Sequence, residues 1–380
     1  MTVPPSVPPS VPPSVPPLVS RPEPLQGLHR VVLPIGVNAV ESVNVHILDD
    51  GDRVTVVDCG VWRPDLPDGG LAALQAGLEG AGYALGDVTR IVVTHAHIDH
   101  YGLAGALMER TGAELLMHTM TDLDCEKYRH PDTARARRRD TYADHGVPAT
   151  ERADLADHLT RWLPYLHSVV EASTRLRGDE VLEIGGDRWT VVHTPGHSLG
   201  HVCLFSPARG VLLSGDHLLP AITPPVTFER GFDADPLRSY LLALRRVADL
   251  RPTFVLPGHG SPFGDAVGRI EAILRNKLRR LERIRRAIAD RPSSIVELAD
   301  LLVAKAILAH QRQLAINETL AHVAFLRWSG VVERRTRPDG VYEWFATAAA
   351  PQGLWPAAQR PAPTGQEPAT ASGWSGGDGD

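Results

Sequence analysis

The chain has 380 residues, 43% of them hydrophobic, enough for a large core and, by length, for two or three domains. Its 39 Lys and Arg against 45 Asp and Glu give a net charge of −6, which does not advertise nucleic acid as a partner of the whole chain, although local basic patches stay open. Three scattered cysteines without Cys-x-x-Cys spacing argue against a disulfide framework and for a reducing, cytoplasmic setting, and neither a bilayer-spanning apolar run nor a basic-then-apolar secretory signal is present.

Residues 1–24 carry the proline repeat "VPPSVPPSVPPSVPPL". Proline fixes φ and removes a donor, so a solvated polyproline tail is expected, with a ligand for a proline-binding module as the functional alternative. Two strands, "VNVHILD" and "RVTVVDCG", are expected around the Asp-Asp-Gly-Asp turn at 49–52. A helix in "GGLAALQAGLEGAGY", a buried strand in "TRIVVTH", a helix in "GLAGALMERTG" ended by Gly112, and a strand in "AELLMH" follow. Residues 121–176 read as a polar, helical insertion that could overhang a site; their basic run at 135–139 reads as a solvated face. "DRWTVVHTPGH", "VCLFSP", "GVLLSGDH" and "PTFVLPGHG" supply four more short strands. Strands mixed with helices at this density predict a layered α/β (α+β) fold over residues 25–267.

The composition changes at residue 268. Ile270, Ile273, Leu274, Leu278, Leu281, Ile284 and Ile288 recur at helical spacing. A second helix starts behind Ser293 or Ser294, a third is expected to be capped by Asn317 and stopped by Gly330, and a hairpin turns at Pro338-Asp339-Gly340. Three helices and a hairpin over residues 268–348 follow the order of a winged-helix module; residues 349–380 are Pro/Gly/Ser-rich and read as a tail.

The chemistry concentrates in "THAHIDH", residues 94–100. His95 and His97 are two apart on one side of an extended segment, and Asp99 and His100 follow where the chain turns; imidazoles with a carboxylate suit zinc, iron or manganese. Further candidates recur one to three residues past short apolar strands and next to glycine: His197 in "HTPGHSLGH", Asp216 in "LLSGDHLL" and His259 in "VLPGHGSP". Strand ends gather along one edge of a layered sheet, so these can meet.

This ordered set resembles the metallo-β-lactamase superfamily over roughly residues 28–265, and the C-terminal pattern is similar to its β-lactamase-like subfamily with a C-terminal winged helix. The resemblance implies an αββα sandwich with metals at one edge of the sheets. It implies that His95, His97 and His197 hold a first metal, Asp99, His100 and His259 a second, and Asp216 bridges them. Two zinc ions are expected, with iron or manganese as alternatives. Asp58 matches the structural aspartate near the site and is read as a hydrogen-bonding residue behind the ligands. His201 and His217 stay open between support of the ligands, contact with substrate and a structural role. One departure is visible: Leu103 stands where the motif often has its second glycine, whereas Gly102 is kept.

Zinc lowers the pKa of bound water from about 16 to near 7. The expected reaction is therefore hydrolysis by a bridging hydroxide, with Asp99 orienting it or relaying a proton. The expected substrate is a small ester, thioester or lactone. Alternatives are an RNA or DNA phosphodiesterase, supported by the basic stretch Arg275, Lys277, Arg279, Arg280, Arg283, Arg285 and Arg286, an iron-dependent oxygenase, and a DNA-binding regulator. The same basic helix face would also serve a homodimer. No membrane partner is expected.

Overall fold

The computed structural model describes residues 25–37, 40–158, 160–302 and 309–348; the expected proline repeat and C-terminal tail lie outside them. The first sheet has six strands in sequence order: β1 (Leu28–Val37), β2 (Val40–Asp50), β3 (Arg53–Val57), β4 (Val88–Val92), β5 (Glu114–His118) and β6 (Thr174–Leu176). Antiparallel pairing runs from β1 to β3 and parallel pairing from β3 to β6. The hairpin between β2 and β3 closes Asp50 on Arg53, with Gly51 at φ 76°, as the Asp-Gly turn predicts. The second sheet orders β11 (Phe254–Pro257), β10 (Val211–Gly215), β9 (Val202–Ser206), β8 (Asp187–His193) and β7 (Val181–Ile184).

Alternation along the strands builds the layers. Val57, Val92 and Leu116 of the first sheet meet Val191, Leu204, Val211, Leu213 and Leu256 of the second in one cluster. Their neighbours point outward. Val56, Ile91 and Leu115 pack under helices α1 (Leu71–Ala81) and α3 (Ala104–Thr111). Val192, Cys203, Leu212 and Val255 pack under α7 (Pro236–Leu250) and α8 (Ala266–Asp290). The result is the expected αββα sandwich.

The insertion is helical in α4 (Thr121–Arg129), α5 (Pro131–Asp144) and α6 (Ala149–Ala156). Its end departs from expectation: residues 174–176 are β6, which closes the edge of the first sheet. The basic run is also more than a solvated face, because Arg138 bonds Glu229 at 3.0 Å and Arg135 bonds Asp157 at 2.8 Å.

The outer face of the second sheet shares a single apolar cluster with the C-terminal elements, including Ile316, Leu320, Phe325 and Trp344. These elements are α9 (Ile295–Leu302), α10 (Ala309–Trp328) and the hairpin β12 (Val332–Thr336) and β13 (Tyr342–Ala346). Ser294 starts α9 as a reciprocal cap, its amide donating to Glu297 and its Oγ accepting from the Glu297 amide. Asn317 is not a cap. The helix begins eight residues earlier, and Asn317 instead bridges from mid-helix, its amide nitrogen donating to Tyr142 Oη at 3.4 Å and its carbonyl accepting from Phe228. No helix among the described residues is long and apolar enough to cross a membrane.

Candidate metal centre

Parallel pairing of β10 with β11 sends Asp216 and His259 off the same edge, beside the end of β4, where His95 and His97 follow. The short helix α2 (Ile98–Tyr101) turns directly after His97 and carries Asp99 and His100. His197 arrives from the loop after β8. Gly196 precedes it at φ 123°, and a Cβ there would stand 2.4 Å from Tyr240 Cβ, so glycine is required.

Three groups of donor atoms form, each within 4.8 Å: His95, His97 and His197; His95, His100 and Asp216; Asp99, His100 and His259. All seven expected ligand residues are therefore brought together. Asp216 stands between the halves, Oδ2 3.6 Å from His197 Nε2 and Oδ1 3.4 Å from both His100 Nε2 and His259 Nε2. Asp99 Oδ2 lies 3.2 Å from His259 Nε2 and 3.7 Å from His100 Nε2.

Groups behind the ligands fix the imidazole tautomers. His100 Nδ1 donates to Asp58 Oδ2 at 2.8 Å, His197 Nδ1 to the Pro225 carbonyl at 2.8 Å, and His259 Nδ1 to the Ser42 carbonyl at 2.7 Å. His95 Nδ1 donates to Thr94 Oγ1 at 3.0 Å, which donates to Asp58 Oδ2 at 3.0 Å. In each case the outward N–H leaves a bare Nε2 lone pair facing the centre. Asp58 also accepts from the Thr94 amide at 2.8 Å and holds φ at 61°, a region few non-glycine residues adopt. It supports the ligands and is not one of them. His201 acts likewise: its Nδ1 donates to Thr194 Oγ1 at 2.7 Å, and its Nε2 accepts from the Asp216 amide at 3.1 Å. His217 is fully buried with both ring nitrogens unpartnered, its ring 5.1 Å from that of Tyr240.

The donor set fits divalent cations. His197 Nε2 and Asp216 Oδ1 are buried without a hydrogen bond, and His100 Nε2 faces His259 Nε2 at 3.2 Å. Only a cation or a proton reconciles such facing lone pairs. Burial first, then the neighbouring imidazoles, holds His95 far below its usual range; burial, then His197 and Lys127, does the same to His97. Burial would also lower His100 and His259, but Asp216 and its neighbours overcome it, pushing His100 well up and His259 up to about 10. The centre therefore attracts positive charge, and metal must displace protons from it.

A cavity of ≈ 490 Å³ opens beside His97 and His197. Its walls come from the insertion (Asp124, Lys127) and from the segment after Asp216 (Thr227, Glu229, Phe232, Asp233). Asp124 is held by the Leu199 and Gly200 amides and Glu229 by Arg138, whereas Lys127 Nζ has no ion-pair partner among the described residues and lies 5.3 Å from the Tyr128 ring centroid. Gly102 sits where a Cβ would meet the Tyr165 carbonyl at 2.6 Å, and Leu103, in place of a second glycine, is simply buried in the core.

Fold and site together define a metal-dependent hydrolase. The chain belongs to the metallo-β-lactamase superfamily, whose family model matches residues 39–259, and the metallo-β-lactamase-like C-terminal domain matches residues 281–348. It is 28% identical over 309 residues to the probable metallo-hydrolase YqjP of Bacillus subtilis, covering 80% of this chain and 93% of that protein. It is 22% identical over 263 residues to the atrochrysone carboxyl ACP thioesterase dmxR1 of Cryptosporiopsis, covering 68% and 63%. The crystal structure of a metallo-β-lactamase family protein from Thermus thermophilus superposes with TM-score 0.73 at 30% identity, covering 85% of this chain and 99% of that one.

Proposed function

We propose that the protein hydrolyses a small ester, thioester or lactone at a dinuclear zinc centre. His95, His97 and His197 hold one ion, Asp99, His100 and His259 the other, and Asp216 lies between them. The observation that carries this is the pairing of unpartnered, inward-facing donors, His197 Nε2 and Asp216 Oδ1 above all, with a small cavity directly over them. The metals, when bound, supply an acidified water and neutralise developing negative charge. Asp99 accepts the proton of the attacking water at Oδ2: burial would raise its carboxyl, but His100 and His259 hold it down at about 2, so it is ionised at neutral pH. Lys127, facing the cavity from the insertion, orients an anionic or carbonyl end of the substrate.

The phosphodiesterase reading loses support on α8. Lys277 and Arg280 bond Glu318, Arg285 and Arg286 bond Glu282, and Arg275 bonds Glu271, so few of those cations are left to meet phosphates. The C-terminal helices and hairpin, read as a winged-helix module, serve here to pack against the sandwich. Three buried free thiols support a reducing cytoplasm.

Metal content and a screen of esters, thioesters, lactones and an RNA oligonucleotide, run on wild type and His97→Ala, test the reading. Near two equivalents of zinc, with metal and acyl hydrolysis lost together in the variant, are expected. Absence of stoichiometric metal, or cleavage of RNA alone, overturns it.

A further inference from the structure

A second cavity, of ≈ 450 Å³, lies between the insertion, the segment after Asp216 and the C-terminal elements. It shares a wall with the cavity over the metal centre. Residues 227–230 run extended, so successive side chains point to opposite sides. Thr227 and Glu229 line the metal-side cavity, and Phe228 and Arg230 line this one.

Its chemistry is distinctive. Phe228, Leu320 and Trp344 give it apolar walls, and Trp328, 59% exposed, stands at its mouth. Arg230, Arg327 and Arg334 contribute guanidiniums from three different elements. Arg230 is paired with Asp144, and Arg334 lies over the Tyr342 ring at 3.9 Å. The wall itself carries these three cations and, among the described residues, no carboxylate. Burial, with Arg327 and Arg230 close by, holds the Arg334 guanidinium below its usual range.

Two buried polar atoms point to an occupant. His145 and Trp344 are each 5% exposed and line the cavity with rings nearly parallel, at 9°, and centroids 6.2 Å apart. His145 Nδ1 and Trp344 Nε1 have no hydrogen-bond partner. Leaving such an atom unsatisfied costs about 1–3 kcal/mol, and native structures rarely tolerate it. An oxyanion satisfies the indole N–H and the guanidiniums together, and a planar apolar body fills the space between aromatic walls.

We propose that this cavity is a binding site for a small aromatic acid, its oxyanion held by Arg230, Arg327, Arg334 and the Trp344 indole. The assignment does not depend on the hydrolase reading, because none of these residues takes part in the metal centre.

The probe is 1-naphthoate, titrated into the full-length protein by calorimetry and by quenching of tryptophan fluorescence. Saturable binding is expected, about tenfold weaker for the neutral 1-naphthamide and for Arg230→Gln, in line with loss of a charge-assisted contact. Ala324→Leu, which fills the cavity without touching a charge, should also abolish the quenching while circular dichroism shows a folded chain. Three results overturn the proposal: no saturable signal up to about 10 mM, beyond even weak millimolar binding; equal affinity for acid and amide; or binding unchanged in folded Ala324→Leu but lost in Lys127→Met, which would place the probe in the metal-side cavity.

Discussion

Asp58→Asn replaces one oxygen of a fully buried carboxylate by an amide of the same shape. The carboxylate receives three hydrogen bonds: the Thr94 amide at 2.8 Å on Oδ1, and Thr94 Oγ1 at 3.0 Å and His100 Nδ1 at 2.8 Å on Oδ2. The backbone N–H cannot reverse its role, so the remaining oxygen must stay on that side, and the new NH2 faces Thr94 Oγ1 and His100. A donor then meets the donor His100 Nδ1–H. The relief is for His100 to move its proton to Nε2, the atom that faces Asp216 and His259. Thr94 Oγ1, now receiving a proton from the amide, turns its own hydrogen toward His95 Nδ1 and pushes that ring the same way. A hydrogen bond to a charged group is worth about 1.5–3 kcal/mol, which is roughly 10- to 150-fold in an equilibrium constant. Measured by chelator competition, zinc affinity should fall by about that factor, in the range usual for residues behind a metal ligand. Metal-free thermal stability, by contrast, should change little, because shape and packing are kept. Wild-type zinc affinity in the variant would refute the tautomer argument.

Further outcomes follow from the same structure. Gly258→Ala places a methyl 2.6 Å from Asp216 Oδ1 and 2.7 Å from His100 Cε1; metal content by mass spectrometry should collapse while the chain still folds. Lys127→Met should raise KM for carboxylate-bearing substrates by about tenfold with a much smaller change in kcat, as loss of a ground-state charge contact does. Glu318 is buried, which alone would raise its carboxyl, but Lys277 and Arg280 hold it down at about 2 against an ordinary 4.5. A depressed carboxyl contributes stability above its unfolded pKa, and that contribution, about 3 kcal/mol, should fade as pH falls from about 4.5 toward 2. Acid denaturation of Glu318→Gln should lack this component.

The ligands were legible in the sequence because each follows an apolar strand and stands beside glycine, and strand ends must share an edge. The groups that orient them were less so. Pro225 and Ser42 act through backbone carbonyls, which every residue carries, so no side-chain signature marks them. The helix Pro236–Leu250 was not among the expected elements, although Leu237, Leu241, Leu244 and Val247 keep helical spacing and would have revealed it. Asn317 shows the opposite failure: the local Asn-Glu-Thr pattern suits a helix start, but a tertiary contact to Tyr142 employs the side chain elsewhere. Strand β6 is three residues long and takes its conformation from pairing with β5, which no local pattern encodes.

The outer face of the second sheet and the C-terminal helices bury their apolar side chains in one another. Neither could be presented to water alone without exposing a surface meant for the other, so the chain offers no clean place between them to be cut into two soluble fragments. The hairpin carrying Trp344 and the strands that deliver Asp216 and His259 should melt as one unit. A lesion at the far end of the C-terminal hairpin would then register at the metal centre as fewer folded molecules, each with its chemistry intact.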